Sequence, residues 1–562
     1  KPNNILKYSD LSKEEKAPFV IFADFESALL PYHTCQPDPT KSFTHKTHKH
    51  VPISYCYAVI DCEDNLIELK TYVGEDCASH FMNAITNEVE KLLGNIQSHR
   101  KLELPPKSLG RTLLLSSATS CYICDKKFSA SDQRCFDHCH VTGQFRGVCH
   151  SSCNLSKQHK KTISCYMHNS SKYDNHLIVS ALNKKSGDIH VIAENLETFI
   201  SFRVGSVLFK DSLRILGASL ETLTKNLADI NTAHFKCLFK HFGIHKASLL
   251  TRKGVFPYSY INFDNLSDSN LPSKDQFYDS LKEEPISDDD YNWALRVFSE
   301  LKLKSLQEYL ELYNTSDVLQ LCDVFIYFRN LCFNQSGLDI AHFLTIASYS
   351  WTACLKHTKV ELELITDIDI YNFIELGMRG GISSVFKRLA TANNPLIENY
   401  DPSKPNSYCV YTDIVNLYGY CLLKSLPTSN FKFVSNSEIN LSNIMNHPDE
   451  SDMGYILDVE IHTPTELHDT FSELCPLSDR LDITPDMISD YTIKLYNKTQ
   501  TKIPNKSTKL TSTLLKRDHY VLYYVNLKYL VNLGLKVSKI HRILSFKQSP
   551  WVRSYIEMNT QR

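Results

Sequence analysis

The sequence predicts a multidomain protein that combines α/β and α+β architecture. A chain of 562 residues is too long for one ordinary core, so several domains are expected. Strand and helix patterns alternate from about residue 186 to about residue 340, which is typical of an α/β domain. A dense cysteine–histidine segment at 121–154 stands between two stretches of strand and helix patterns, and it predicts an inserted module.

The composition narrows the class of protein. The 61 basic and 63 acidic residues nearly cancel, so nucleic-acid binding would have to use local basic patches. Most of the 18 cysteines are scattered singly in apolar runs, which favours reduced thiols over a disulfide scaffold. We find no signal peptide and no apolar run of membrane-spanning length. We therefore expect a soluble intracellular protein with no membrane partner.

The N-terminal elements can be assigned in order. Residues 17–30 form an apolar run with acidic residues inside it, which predicts a buried strand. The alternation in 50–74 predicts a following hairpin, and 76–96 has the spacing of a helix. Residues 98–120 contain two adjacent prolines and no clear period, so they predict a linker that leads to the cysteine–histidine segment.

Acidic residues in three local patterns predict a divalent-metal site. Asp24 and Glu26 lie two apart on the predicted strand and therefore point to the same face. Asp174 precedes an apolar helical start, and Tyr313 and Asp317 lie four apart on one helix face. Phosphodiester hydrolysis by two metal ions needs several converging carboxylates. The pattern predicts that the four acids hold Mg²⁺ or Mn²⁺ and that Tyr313 orients the attacking water. A surface turn is the alternative for Asp-x-Glu alone.

The cysteine–histidine segment has the spacing of a zinc site. Cys121-x-x-Cys124 and His150-x-x-Cys153 provide four tetrahedral ligands for Zn²⁺. Cys149 is an alternative to His150 on spacing alone. Free thiols are the alternative for the whole set.

At the acidic residues the chain resembles the DEDD-type 3′→5′ proofreading exonuclease of family B DNA polymerases, which has an RNase H-like fold. The resemblance implies that Asp24 and Glu26 form the first exonuclease motif, that Asp174 belongs to the second, and that Tyr313 and Asp317 form the third. It further implies contacts with single-stranded DNA from Asn169, Tyr173, Ser219, Leu220 and Lys253.

The inserted segment resembles the HNH fold of recombination endonuclease VII. The resemblance implies that Asp137 and Asn154 bind a catalytic metal ion and that His138 is the general base. In the alternative interpretation the module is structural or only binds DNA.

The segment 411–420 (YTDIVNLYGY) resembles motif A of a family B polymerase palm. The resemblance implies that Asp413 holds the catalytic Mg²⁺ ions and that Leu417 and Tyr418 contact the incoming nucleotide. Upstream, GMRGGISS resembles the link between exonuclease and palm that contacts the template, and it implies contacts with DNA from Gly380 and Gly381.

The order of all these segments resembles the protein-primed polymerases of Polinton/Maverick transposons and related viruses. The implied partners are primer-template and single-stranded DNA, deoxynucleoside triphosphates and a terminal priming protein, at a nuclear or viral replication site. The domains that we predict are residues 1–104 (exonuclease, first part), 105–160 (zinc module), 161–345 (exonuclease, second part), 346–420 (link and palm with motif A) and 421–562 (an insertion like the terminal-protein region).

Two later polymerase motifs are expected beyond residue 562, so we predict an incomplete palm and no complete polymerase site in this chain. The downstream acids of 477–491 are predicted to lie in a loop and a surface helix. The basic segment 533–562 is either a DNA-binding patch or a solvated edge. The competing functions are a metal-dependent nuclease alone and a catalytically dead nucleic-acid-binding remnant.

Overall fold

A computed structural model describes residues 4–32, 38, 40, 47–99, 110–139, 143, 145–157, 161–182, 188–279, 283–385, 387–435 and 439–561. The chain divides into two compact units. The N-terminal unit is Ser9–Ala353, and the C-terminal unit combines Lys1–Tyr8 with Cys354–Arg562. The five predicted domains remain a prediction. None of the helices within the described ranges combines the length and apolar character needed to span a membrane.

The strands are β1 (Ile5–Leu6), β2 (Phe19–Pro31), β3 (His48–Asp61), β4 (Leu66–Val73), β5 (Arg134–His138), β6 (Phe145–His150), β7 (Ile163–Met167), β8 (Ile189–Ala193), β9 (Phe199–Val204), β10 (Val207–Asp211), β11 (Leu362–Glu363), β12 (Leu426–Val434), β13 (Met453–His462), β14 (Leu477–Ile483), β15 (Ser507–Thr513), β16 (Arg517–Tyr523) and β17 (Lys536–Ser549).

The helices are α1 (Cys77–His99), α2 (Gly110–Ser117), α3 (Ser151–Ser156), α4 (Asp174–Ala181), α5 (Leu213–Leu216), α6 (Leu220–Ile230), α7 (Lys236–Phe242), α8 (Ile244–Ala247), α9 (Asp288–Glu300), α10 (Leu306–Ser336), α11 (Ile346–Thr358), α12 (Ile368–Gly377), α13 (Leu417–Leu422), α14 (Leu441–Asn446), α15 (Asp490–Lys498), α16 (Tyr524–Asn532) and α17 (Arg553–Thr560).

The N-terminal unit is a mixed α/β structure built on one sheet, in the order β4-β3-β2-β7-β10-β9-β8. β7 lies parallel to both β2 and β10, and the other neighbouring pairs are antiparallel. The predicted strand, hairpin and helix at the N-terminus are confirmed as β2, β3–β4 and α1.

The two faces of β2 have different partners because successive strand residues point to opposite sides. Ile21 and Phe25 pack in a core that includes Phe81 of α1. Phe22 points the other way and meets Phe325 of α10, with ring centroids 5.2 Å apart. Asp24 and Glu26 lie two and four positions after Phe22 on the strand, so they point to the same side and lie on the face covered by α10.

The long helix α10 is bounded by two local signals. Ser305 caps its start, where the hydroxyl accepts a hydrogen bond from the backbone N–H of Glu308 at 3.2 Å. Gly337 ends it in the left-handed region, with φ 63°. Inside the unit, Arg329 of α10 donates two hydrogen bonds to the buried carboxylate of Asp339, which also accepts from the backbone N–H of Ala17. These bonds fix α10 against the start of β2.

The inserted segment is an antiparallel β5–β6 hairpin followed by α3. The prediction of a linker over 98–120 is wrong in part, because 110–117 is helix α2. Arg134 of β5 donates to the backbone carbonyls of Leu115 and Ala118, and these bonds stabilise the end of that helix. Residues 100–109, including the two prolines, lie outside the described residues.

The C-terminal unit contains an antiparallel sheet in the order β12-β17-β13-β16. Two successive residues of β17 pack in different cores. Ile543 packs in one core with residues of α14 and α16, and Leu544 packs in the other with residues of α12. The prediction of a loop at Asp479 and Asp482 is wrong. Both lie on β14, which pairs along its whole length with β15, and the predicted surface helix begins later, as α15.

Candidate active site

Three carboxylates of the N-terminal unit converge. One oxygen from each of Asp24, Glu26 and Asp317 lies within 4.8 Å of the others. β2 supplies the first two on the face that α10 covers, and α10 supplies the third. Glu26 is 5% exposed and Asp317 is 1% exposed, so these acids are largely withdrawn from water.

The electrostatics of this cluster suit a divalent cation. Burial, followed by the neighbouring charge of Asp317, raises the pKa of Asp24 to about 7, although Lys253 acts in the opposite direction. Burial and then the charge of Asp24 raise the pKa of Glu26 well above its ordinary value. Asp317 Oδ1 is buried and accepts no hydrogen bond from the described residues. A hard cation with oxygen ligands would satisfy this oxygen and relieve the repulsion.

Asp174 lines the same cavity but lies outside the tight group of three. It is the first residue of α4, after a turn in which Asn169 adopts a left-handed conformation with φ 62°. The carboxylate of Asp211 holds this turn, because it accepts hydrogen bonds from the backbone N–H groups of Asn169 and Ser171 at 2.8 and 3.1 Å. Burial and then the charge of Asp24 raise the pKa of Asp174. Asp211 was not found from the sequence.

Lys253 and a pair of tyrosines border the carboxylates. Lys253 Nζ donates to Asp317 Oδ2 at 2.7 Å. The hydroxyls of Tyr258 and Tyr313 lie 2.8 Å apart, and the ring of Tyr313 stacks on Phe256 at a centroid distance of 4.7 Å. Gly254 permits this packing, since a Cβ there would lie 2.8 Å from the Tyr313 ring. Tyr258 also lines the cavity. The sequence analysis missed it, although it predicted Lys253 in the same segment.

The carboxylates open into a cavity of about 380 Å³. Four of the predicted DNA ligands line it: Asn169, Tyr173, Leu220 and Lys253.

Two histidines that the sequence analysis missed also line the cavity. His50 Nδ1 lies 2.8 Å from the Tyr173 hydroxyl, and His168 Nδ1 lies 3.0 Å from Ser212 Oγ. The fifth predicted ligand, Ser219, is not among the lining residues. Its hydroxyl instead caps α6 by accepting from the backbone N–H of Thr222 at 3.2 Å.

Among the described residues, the predicted zinc ligands form a second group of side chains that could hold a metal ion. One atom from each of Cys121, Cys124, His150 and Cys153 lies within 4.8 Å of the others. The structure brings His150 rather than Cys149 into this group. Cys149 Sγ instead lies 3.6 Å from the thiol of Cys135 on the neighbouring strand.

The surroundings of the four ligands also suit a metal ion. Burial opposes the thiolate of Cys121, but backbone N–H groups, first that of His150, outweigh it and lower the pKa of Cys121 to about 7. His150 Nδ1 lies 3.4 Å from Cys124 Sγ, and its other ring nitrogen lies 3.4 Å from a carboxylate oxygen of Asp132. A carboxylate behind a ligand histidine orients the ring. Asp132 was not found from the sequence. Three cysteines and a histidine are a ligand set of structural Zn²⁺ sites.

The residues implied by the HNH resemblance lie on this same hairpin and helix. Asp137 and His138 end β5, and Asn154 lies in α3. The buried Asp137 carboxylate accepts a short hydrogen bond from the Tyr122 hydroxyl, and Arg146 Nη1 lies 3.8 Å from it. Asp137 is therefore already engaged by side chains of the module.

The residues predicted to form motif A are not gathered into a cluster like the carboxylates of the N-terminal unit. Asp413 is exposed, and the Tyr418 side chain is 87% exposed at the start of α13. Leu417, also exposed, begins that helix. The described residues of 379–415 form no helix or strand. Neither of the two groups of potential metal ligands found among the described residues includes Asp413.

The two predicted glycines lie in this same segment of the C-terminal unit. Gly380 lines a cavity of about 650 Å³ in that unit, and Gly381 is exposed.

Comparisons with known proteins agree with these observations. A family model described as DNA polymerase type B, organellar and viral, matches residues 154–562, which is more than half of the chain. A second model, recombination endonuclease VII, matches residues 97–173, which include the cysteine–histidine segment.

Individual proteins match over smaller shares or at lower identity. A probable DNA polymerase of Ascobolus immersus is 25% identical over 235 residues, which cover 40% of this chain and 18% of that protein. The solved structure of Phi29 DNA polymerase complexed with single-stranded DNA aligns with a TM-score of 0.40 and 12% identity, over 97% of this chain and 63% of that one. The chain thus spans less than two thirds of either relative. On the match over residues 154–562, the chain belongs to the organellar and viral type B DNA polymerases.

Proposed function

We propose that this chain is part of a protein-primed type B DNA polymerase that acts in DNA replication, and that its N-terminal unit is an RNase H-like 3′→5′ exonuclease with an inserted HNH-type module. The observation that carries the exonuclease is the single cavity lined by Asp24, Glu26, Asp174 and Asp317. Family membership supports the polymerase. The partners that we propose are primer-template and single-stranded DNA, deoxynucleoside triphosphates and a priming protein, at a nuclear or viral replication site.

In the exonuclease, Asp24, Glu26, Asp174 and Asp317 would hold Mg²⁺ or Mn²⁺. When bound, these ions supply the activated water and stabilise the leaving oxygen. Because their pKa values are raised, Asp24 and Glu26 favour the protonated form, and they would release those protons on holding the ions.

The remaining residues of the cavity position the substrate. Lys253 carries positive charge beside the carboxylates, where it is available to a phosphate oxygen. The hydroxyl pair of Tyr258 and Tyr313 offers a donor and an acceptor to the attacking water. Tyr173, held by His50, presents an aromatic ring on which the terminal base can stack. Asn169 and Leu220 complete the binding surface for the strand.

The C-terminal unit would carry the polymerase residues. We propose that Asp413 binds Mg²⁺, that Leu417 and Tyr418 contact the incoming nucleotide, and that Gly380 and Gly381 allow close approach of the template backbone. The support is the family match, which includes all five residues.

The exonuclease is tested with single-stranded DNA that carries a label at its 5′ end. The full chain should shorten this strand from the 3′ end when Mg²⁺ is present. The double variant Asp24→Ala with Glu26→Ala should lose most of the rate. Asp188→Ala, at a described acid outside the cavity lining, provides the matched control. Equal digestion by the double variant and the parent would refute the assignment.

For the inserted module we propose one structural Zn²⁺ and a role in gripping DNA. The Cys121, Cys124, His150 and Cys153 group supports the metal. The match to recombination endonuclease VII favours a second candidate function, DNA cleavage with Asp137 and Asn154 as metal ligands and His138 as the base. Loss of branched-DNA cleavage in His138→Ala, with zinc retained, would establish cleavage. Unchanged cleavage would leave the structural role.

A further inference from the structure

A second cavity of about 470 Å³ adjoins the carboxylate cavity. The two share Lys253 as a lining residue. The first turn of α6 stands between them, because Leu220 lines the carboxylate cavity and its neighbour Glu221 lines the second one. A DNA strand whose 3′ end lies among the carboxylates is therefore next to the second cavity at Lys253.

The second cavity has an aromatic platform. Trp293 of α9 lines it, and the guanidinium of Arg252 lies over the indole ring at 4.8 Å from its centroid. Asp290, in the first turn of α9, accepts a hydrogen bond from Arg252 and a second one from the Ser287 hydroxyl at 2.8 Å. These bonds orient the guanidinium of Arg252 toward the indole ring. Aromatic rings and arginine planes are the surfaces on which unpaired bases stack.

Basic side chains in the lining are available to a phosphate. Four of them line the cavity, together with the carboxylate of Glu221: Lys225, Arg252, Lys253 and Arg296. Arg252 and Lys253 are paired with the carboxylates of Asp290 and Asp317, which are not among the lining residues. Arg296 is paired with Glu300 four residues later at the surface. Exposed pairs of this kind are weak, so a phosphate can replace the carboxylate. Lys225 is exposed on α6 and faces the same space.

We propose that this second cavity binds a nucleotide of the single strand whose 3′ end occupies the carboxylate cavity. The base stacks on Trp293 and Arg252, and the phosphate contacts Lys225 and Arg296. The volume lies within the roughly 300–1,000 Å³ range of sites that bind small molecules. This inference rests on the proposed exonuclease, and it adds a subsite that anchors the strand upstream of the bond to be cleaved.

The subsite predicts a defect that depends on strand length. Trp293→Leu should raise KM about five- to one-hundredfold for a strand of about ten nucleotides, because one stacked base is lost. Its kcat should be unchanged, and cleavage of a nucleoside 5′-(4-nitrophenyl phosphate) should match that of the parent, since this ester has a single nucleotide, which fills the carboxylate cavity and leaves no second one for the adjoining cavity. Trp351→Leu is the matched control, at a tryptophan that is 45% exposed and lines neither cavity.

Lys225→Gln gives a second test at an exposed position that the fold does not depend on. It should lower the slope of log affinity against log salt by about 0.7 for the long strand, as expected when one phosphate contact is lost. Lys304→Gln, at another exposed lysine outside both linings, should leave the slope unchanged. Binding is measured by fluorescence anisotropy with Ca²⁺ in place of Mg²⁺.

The outcomes separate this inference from the proposed exonuclease. A parent chain that shortens no strand would refute the exonuclease. A parent that cleaves, with Trp293→Leu and Lys225→Gln indistinguishable from it on both substrates, would overturn only the subsite. Equal defects on the single-nucleotide ester and the longer strand would also overturn it. If a free deoxynucleoside monophosphate competes as well as the long strand, the cavity is a product site and the strand assignment is wrong.

Discussion

Lys253 Nζ lies 2.7 Å from Asp317 Oδ2, so a loop residue neutralises a carboxylate in the middle of α10. The same ammonium lowers the pKa values of Asp24 and Glu26, which burial and mutual repulsion raise. Lys253 therefore offsets part of the repulsion among the three carboxylates.

We expect Lys253→Gln to lower the exonuclease kcat by roughly 100-fold, because a positive charge beside the cleaved phosphate is lost. The change in KM should be smaller, since the carboxylates still hold the metal ions. Lys240→Gln is the control, at an exposed lysine that donates to the backbone carbonyl of Leu66. A kcat within twofold of the parent would show that Lys253 serves only the metal-free fold.

The carboxylates also predict how stability depends on pH. The pKa of Asp24 is 3.8 in its ordinary state and about 7 in the fold. Between these values the folded state holds a proton that the unfolded state has lost, so the free energy of unfolding falls as the pH rises. In Mg²⁺-free buffer, Asp24→Asn should therefore stabilise the unit, and the gain should grow by about 2–3 kcal/mol from pH 5 to pH 8. Urea unfolding of parent and variant at each pH measures it.

Added Mg²⁺ or Mn²⁺ gives the complementary result. The ions compete with protons for the carboxylates, so they should stabilise the parent more at pH 8 than at pH 6. The Asp24→Asn variant should gain less at either pH. A gain that is independent of pH, or one that the variant shares fully, would place the ions elsewhere.

Local spacing was enough to predict part of this site. The strand period of two predicted that Asp24 and Glu26 share one face, and the helical period predicted the same for Tyr313 and Asp317. The close cysteine–histidine pairs predicted a zinc site, but spacing alone left His150 and Cys149 as alternatives, and the fold brings His150 into the group. In each case the paired residues lie within four positions of each other in the chain, so a local pattern was enough to relate them.

Two of the missed residues pair with predicted residues that lie far away in the sequence. His50 is 123 positions from Tyr173, and Tyr258 is 55 positions from Tyr313. Their pairing depends on how the strands are ordered in the sheet, which local periodicity does not encode. Ser219 stays a predicted DNA ligand. The structure also gives its hydroxyl a role that its motif did not indicate, because it caps α6.

The module should bind about one Zn²⁺ per chain. Cys121→Ser with Cys124→Ser should abolish this, because two of four ligands are lost. Cys149→Ser should retain the metal, since its thiol faces Cys135 instead. Asp132→Asn should weaken zinc binding about 10- to 100-fold through the orientation of His150. Elemental analysis and competition with a chromogenic chelator measure these effects. Loss of zinc in Cys149→Ser would show that the ligand set is different.

The exposed position of Asp413 leads to the last prediction: this 562-residue chain alone should not extend a primer on a DNA template. Nucleotidyl transfer by two metal ions needs a second carboxylate beside the first and a basic group on the triphosphate. Two of the acids that follow in the chain are paired with basic side chains: Asp479 lies 3.3 Å from Arg379 Nε, and Asp482 lies 2.7 Å from Lys506 Nζ.

The measurement is incorporation of a labelled nucleotide on a primed template, with the exonuclease disabled by Asp24→Ala so that extension is not masked by degradation. DNA binding is no substitute, because the exonuclease cavity and its neighbour would bind a strand without any polymerase site. The matched variant adds Asp413→Ala to Asp24→Ala. Template-dependent extension that is lost on this addition would show that Asp413 acquires its second carboxylate when DNA and nucleotide bind, and that the exposed segment 411–420 folds onto a complete site.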